Sequence, residues 1–101
     1  MSQIPAPPPD DDSGDRSTLA LYTSAWCSYC RRVVAAIREL NIEVEQRDVY
    51  EDREYRRELF AATGRGTVPV LRISHQDGHE QWMPESRDII RYLRKRFNSV
   101  A

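Results

Sequence analysis

The sequence predicts an α/β fold in which a four-stranded mixed sheet is flanked by three helices. Apolar runs and helical patterns succeed one another as strand, helix, strand, helix, strand, strand, helix. Two strands joined through a helix pair in parallel, whereas the turn at Gln76-Asp77-Gly78 is tight enough only for an antiparallel pair. The only cysteines, Cys27 and Cys30, fall where the first strand gives way to the first helix.

Each element has its own signal. Thr18 to Thr23 is a short apolar run suited to a buried strand. The first helix starts around the cysteines, with Val33, Ile37 and Leu40 at helical spacing and Asn41 near its end. Ile42 to Val49 reads as the second strand. A charged helix follows from about Asp52, with Tyr55, Leu59 and Phe60 as its expected buried stripe and Gly64 as its stop. Pro69 to Ile73 is a third strand, and His79 to Met83 returns beyond the turn as its hairpin partner. Glu85 or Ser86 opens the last helix, with Ile89, Ile90, Leu93 and Phe97 facing inward.

The domain is expected to span residues 18–101. Residues 1–17 read as a disordered tail: Pro5, Pro7, Pro8 and Pro9 favour an extended path, and the Asp/Ser/Gly segment after them has nothing apolar to bury. At 101 residues there is room for one modest core, and 40% hydrophobic with 31% charged residues is a soluble globular balance. No apolar run approaches the roughly 20 residues of a membrane span. The start lacks the basic and apolar stretches of a secretory signal, so a cytoplasmic location is expected. The net charge of −1 divides into −3 over residues 1–17 and +2 over the rest. Neither value supplies the field that nucleic acid or an anionic membrane would call for.

In a reducing cytosol a structural disulfide is disfavoured, which leaves catalysis or metal binding for the Cys27-x-x-Cys30 pair. Zinc would need His75 and His79 as further ligands. Their spacing is legal, but the two halves lie too far apart for a compact finger, and the histidines flank an exposed turn. No metal site is therefore assigned, and both histidines are read as surface residues. At a helix start, unpaired N–H groups favour a thiolate on the leading sulfur. Cys27 is the expected nucleophile, and Cys30, one turn inward, the shielded resolving thiol. Arg31 and Arg32 oppose the helix dipole, which suits an anion at that end or simple exposure to solvent.

Three motifs in order resemble the glutaredoxins of the thioredoxin-fold superfamily: Cys27-Ser28-Tyr29-Cys30, Thr67-Val68-Pro69, and Pro84-Glu85-Ser86-Arg87-Asp88. The similarity covers about Thr18 to Phe97. It implies a thioredoxin-like (glutaredoxin) fold, a cis Pro69, and glutathione held by its cysteinyl portion at Val68, with Tyr29 lining the cleft. It places the γ-glutamyl carboxylate on Ser86 and Arg87, where a helix start offers N–H groups to an anion. Glu85 is placed near the ligand's amine, although helix capping explains Glu85 or Ser86 equally well. Arg56 is the residue nearest the family's position for the glycyl carboxylate. The chain departs from the family in having Glu85-Ser86, a segment similar to that of glutathione transferase N-terminal domains, and in lacking a lysine before the cysteines.

The resemblance implies a glutathione-dependent oxidoreductase that reduces glutathionylated or disulfide-containing proteins through Cys27. It works as a monomer, with glutathione as co-substrate. The alternative is a glutathione-ligated two-iron two-sulfur cluster carrier, a homodimer with Cys27 as ligand. Ser28 favours it by replacing the proline of the commoner motif, which restores an N–H and loosens φ. A transferase-like module is the third reading, disfavoured because transferases of that class add an all-helical domain. Arg91, Arg94, Lys95 and Arg96 read as cations favoured at a helix C-terminus.

Overall fold

The computed structural model describes residues 16–97, so the expected tail lies, through residue 15, outside the described residues. The chain runs β1 (Thr18–Thr23), α1 (Ser28–Leu40), β2 (Glu45–Asp48), α2 (Arg53–Thr63), β3 (Val70–Ser74), β4 (Glu80–Pro84) and α3 (Ser86–Phe97). The strands lie in the order β2-β1-β3-β4. β1 pairs in parallel with β2 across the α1 crossover and antiparallel with β3, which is itself antiparallel to β4.

The near-continuous apolar run of β1 follows from its central place, covered on both faces. Leu19 and Leu21 point into the larger core with Val33, Ile37, Leu71, Ile73, Ile89 and Leu93, so α1 and α3 cover this face. Ala20 and Tyr22 point the other way, to a smaller cluster with Leu59 of α2 and Val49 and Val70. Burying each large aliphatic chain stabilises by about 1.5–3 kcal/mol.

Local signals set the helix ends. The Asp52 carboxylate accepts the Glu54 N–H at 2.9 Å and caps α2, and Gly64 closes it at φ 73°, in the left-handed region. Asn41 closes α1 at φ 54°; its N–H bonds the Arg38 carbonyl, and the Ile42 N–H reaches back to Ile37. That Schellman-type wrap explains one difference from the sequence reading. Ile42 is spent on the helix cap and β2 starts only at Glu45, while Ile42 and Val44 pack on the larger core from the connection.

Two other expectations are corrected. Phe60 is not part of the buried stripe of α2: it is 46% exposed, and its ring lies over Gly66, where a Cβ would come within 2.8 Å of it. Arg96 is not a solvated C-terminal cation. It is buried, with Nη1 donating to Ser17 Oγ (2.9 Å) and Tyr92 Oη (3.0 Å), and Nη2 donating to the Ser17 carbonyl (2.9 Å). Ser17 is buried with it, so the ordered structure takes in a residue assigned to the tail.

Candidate active site

The tight link between β1 and α1 places the thiols. Cys27 occupies the N-cap position of α1 with extended backbone (φ −98°, ψ 121°), and no side chain caps the helix there. The first amides of α1 therefore have no acceptor within the helix and none from the Cys27 side chain. Cys27 is half-buried, and its Sγ–H donates to the Val68 carbonyl at 3.8 Å. Cys30, three residues on, is 0% exposed. Burial pushes its thiol up to about 11, against smaller opposing hydrogen bonds from Thr23 and Ser24. Both cysteines are free thiols.

The loop from α2 to β3 brings Val68 to the thiol, and the Val68–Pro69 peptide is cis. Val68 packs against the α2-side cluster, whose centre is a polar knot around Tyr22. The Tyr22 hydroxyl donates to Glu58 Oε1 (2.6 Å) and accepts from Arg47 (2.6 Å) and Arg72 (3.4 Å). It ties β1, β2, β3 and α2 together beneath the Trp82 ring, whose centroid is 5.2 Å away. Burial raises the Tyr22 phenol above its ordinary value, so the hydroxyl stays protonated as the donor to Glu58.

On the far side, β4 turns into α3 through Glu85, which holds φ 76° although it is not glycine. Its carbonyl accepts the first helical bond, from Ile89 at 3.0 Å, so Glu85 is the backbone cap of α3. A non-glycine residue in the left-handed region costs about 1–2 kcal/mol, and such outliers gather at ligand sites. The free amides after Glu85 open onto the same space as Val68.

That space is an open groove of about 1580 Å³. Of the residues singled out in the sequence, Tyr29, Thr67, Val68, Pro69, Glu85, Ser86 and Arg87 line it. Cys27 is not in its wall but adjoins it through Val68. Arg56 is exposed on α2 and does not line the groove, so the structure does not bring it to the others. Sequence reasoning missed Arg65 and Trp82, and it took Arg91, Arg94 and Lys95 only as helix-end charges. Their spacing along α3 is the signal that could have found the last three. Arg32 also faces the groove, its guanidinium 5.8 Å from the Tyr29 ring centroid.

His75 and His79 stack across the β3–β4 turn with centroids 4.1 Å apart, far along the chain from the thiols. His79 Nδ1 lies 2.5 Å from Asp77, and His75 Nε2 is buried without a partner among the described residues. Among the described residues no group of three or more His, Cys, Asp or Glu could hold a metal ion. An iron–sulfur cluster takes four thiolate-type ligands, and one chain presents a single accessible sulfur, so these residues do not by themselves fit a cluster.

The family described as glutathione S-transferase, N-terminal domain, matches residues 21–100. The chain belongs to that family. It has the thioredoxin-like fold of this domain, three helices on a four-stranded mixed sheet. Similar solved structures include the trimeric glutathione transferase TDR1 of Leishmania, at 32% identity and TM-score 0.63, over 77% of this chain and 17% of that one. Maleylacetoacetate isomerase of Anaeromyxobacter dehalogenans 2CP-1, with glutathione bound in its active site, shows 26% identity and TM-score 0.64 over 86% of this chain and 41% of that one. Glutathione transferase Omega 2S of Trametes versicolor, at 18% identity and TM-score 0.63 over 82% of this chain and 38% of that one, shares the fold. The chain thus spans less than half the length of each of these three proteins. No sequence match is found among curated proteins.

Proposed function

We propose that the chain is a glutathione-dependent thiol–disulfide oxidoreductase of glutaredoxin type, with Cys27 as nucleophile. The observation that carries this reading is the placement of the half-buried Cys27 sulfur at an uncapped helix start, 3.8 Å from the Val68 carbonyl at the groove wall. Glutathione fits the groove in one direction: its cysteinyl backbone pairs with Val68, as an added strand would. Its γ-glutamyl carboxylate meets the amides of Ser86 and Arg87, and its amine meets Glu85. For the glycyl carboxylate the groove wall offers Arg65 or Arg32 in place of Arg56. Binding of glutathione to the bacterial isomerase of the same fold supports the choice of ligand.

In the first step the Cys27 thiolate attacks the glutathione sulfur of a mixed disulfide. A Cys27–glutathione disulfide forms, and the other thiol leaves and takes up a proton. A second glutathione, deprotonated, attacks that sulfur; oxidised glutathione leaves and the Cys27 thiolate returns. The electrons come from the second glutathione, whose sulfur joins the first in oxidised glutathione; the released thiol is the reduced product, and the protein ends unchanged. Clamping the tripeptide at both ends aligns the three sulfurs. Cys30, held as a neutral thiol by burial, is a slow competitor for the adduct at neutral pH, which favours the route through a second glutathione.

Family membership alone would also suit glutathione conjugation; the second sulfur one helical turn behind the first favours exchange. Cys30→Ser protein mixed with oxidised glutathione tests the reading by mass spectrometry. One glutathione on Cys27, removable by added glutathione, is the expected result. No adduct, or an adduct that persists in Cys27→Ser, would overturn it.

A further inference from the structure

The groove is larger than its assigned ligand needs. Small-molecule sites run to about 300–1,000 Å³, against about 1580 Å³ here. Its wall mixes apolar side chains with a marked excess of positive charge. Six cations line it (Arg32, Arg65, Arg87, Arg91, Arg94 and Lys95) against the two carboxylates of Glu85 and Asp88.

Four of the six lie on α3 at positions 87, 91, 94 and 95, a spacing that sets them along one helix face. The stripe runs for roughly 12 Å at 1.5 Å per residue. Only Arg94 among these four has an ion-pair partner within the described residues, Glu39 at 3.5 Å, and both of those side chains are exposed. Cations at the last turn of a helix answer its dipole, but that accounts for Arg94 and Lys95 and not for Arg87 in the first turn, where the dipole opposes it. Beside the thiol, Trp26 is 86% and Tyr29 58% exposed, two aromatic rings with no core to serve. Tyr29 shares the groove with the arginines and Trp26 is next to Cys27 in the chain; an exposed aromatic in an arginine-lined groove suits a polypeptide.

From this we infer that the groove takes its mixed disulfide on an acidic polypeptide segment. The glutathione moiety sits at Val68 and Ser86, the Asp- or Glu-rich flank lies along the Arg91–Lys95 stripe, and Trp26 and Tyr29 cover the peptide beside the sulfur. This rests on the proposed oxidoreductase function and specifies its substrate class. The chemistry is the exchange given above, with the peptide thiol as leaving group.

The test uses three glutathione mixed disulfides: one on a peptide with four aspartates beside the cysteine, one on the same peptide with serines, and that of cysteine itself. The acidic peptide is expected to be reduced with a kcat/KM about 10-fold above the serine peptide at low salt, since a charge-lined cleft raises association by that order or more. The ratio should fall towards one in 1 M salt, where the screening length is only about 3 Å. Arg91→Gln/Lys95→Gln protein should lose the preference, its kcat/KM for the acidic peptide falling several-fold more than that for cysteine–glutathione disulfide. Fluorescence anisotropy of the acidic and serine thiol peptides on Cys27→Ser protein reads docking without chemistry. If the cysteine disulfide is turned over but the peptides do not differ, the substrate assignment fails and the oxidoreductase stands. If nothing is turned over, the oxidoreductase reading fails, and equal anisotropy for the two peptides then removes the docking surface as well.

Discussion

The buried inner sulfur makes the sharpest prediction. Cys30 is pushed up to about 11 by burial, so at pH 7 only about one molecule in 10,000 carries a thiolate there. Alkylating agents react with thiolate, and the side chain is also closed to them by packing. Brief treatment of the native, reduced protein with iodoacetamide at pH 7 should therefore place one label per chain, on Cys27, with Cys30 modified only after addition of denaturant. Peptide mapping by mass spectrometry reads both sites. The same displacement couples to stability with a fixed sign. The thiol ordinarily ionises near 9 and in the fold near 11, so folding favours the protonated form. That stabilisation is fully present below pH 9 and is lost as the pH rises from 9 to 11. Thermal melts across that window should fall more steeply for the native sequence than for Cys30→Ala, each compared with its own melt at pH 8. Labelling of Cys30 in the native state at a rate comparable to Cys27, or identical pH slopes for the two proteins, would refute this account of the thiol pair.

Two further substitutions probe the frame of the site. Arg96→Ala removes three hydrogen bonds of 2.9–3.0 Å and leaves Ser17 buried without them. Bonds to a charged group contribute about 1.5–3 kcal/mol each, and a domain of this size loses about 4–8 °C of Tm per kcal/mol, so calorimetry should show a drop of at least ~6 °C. A drop below ~2 °C would mean that this buried cation is balanced by its own desolvation. Glu85→Gly relieves the φ of 76° and should leave Tm level or slightly raised. It should weaken glutathione binding about tenfold by calorimetric titration, the equivalent of about 1.4 kcal/mol. Unchanged affinity would make Glu85 a turn residue only.

Much of this molecule is readable from its residues because local and long-range signals agree. Leu19 to Tyr22 is a continuous apolar run because β1 is an inner strand, with a neighbour on each edge and a core cluster on each face. Asp52 and Gly64 bracket α2 through chemistry that needs only a few adjacent residues. The failures are tertiary. Ile42 looks like strand, yet the α1 cap takes it; Phe60 fits the apolar stripe, yet its ring lies at the surface over Gly66. Arg96 resembles its charged neighbours, and only the distant Ser17 shows that it is buried. At the site, motif residues that are close in sequence arrive together. Arg56 does not, because one helical position can turn a side chain away from the groove. The basic wall went unnoticed for a related reason: its members come from α1, the α2–β3 loop and α3, and only folding adds their charges together.

The depth of the second sulfur also imposes an order of events. With no surface of its own, Cys30 meets an oxidant only by way of the sulfur in front of it. An internal disulfide can then arise only from an adduct already seated on Cys27, and whatever leaves Cys27 at that moment must be the group just captured. The chain shows its surroundings one reactive thiol and holds the other in reserve, so its first encounter with a partner always has the chemistry of a one-cysteine protein.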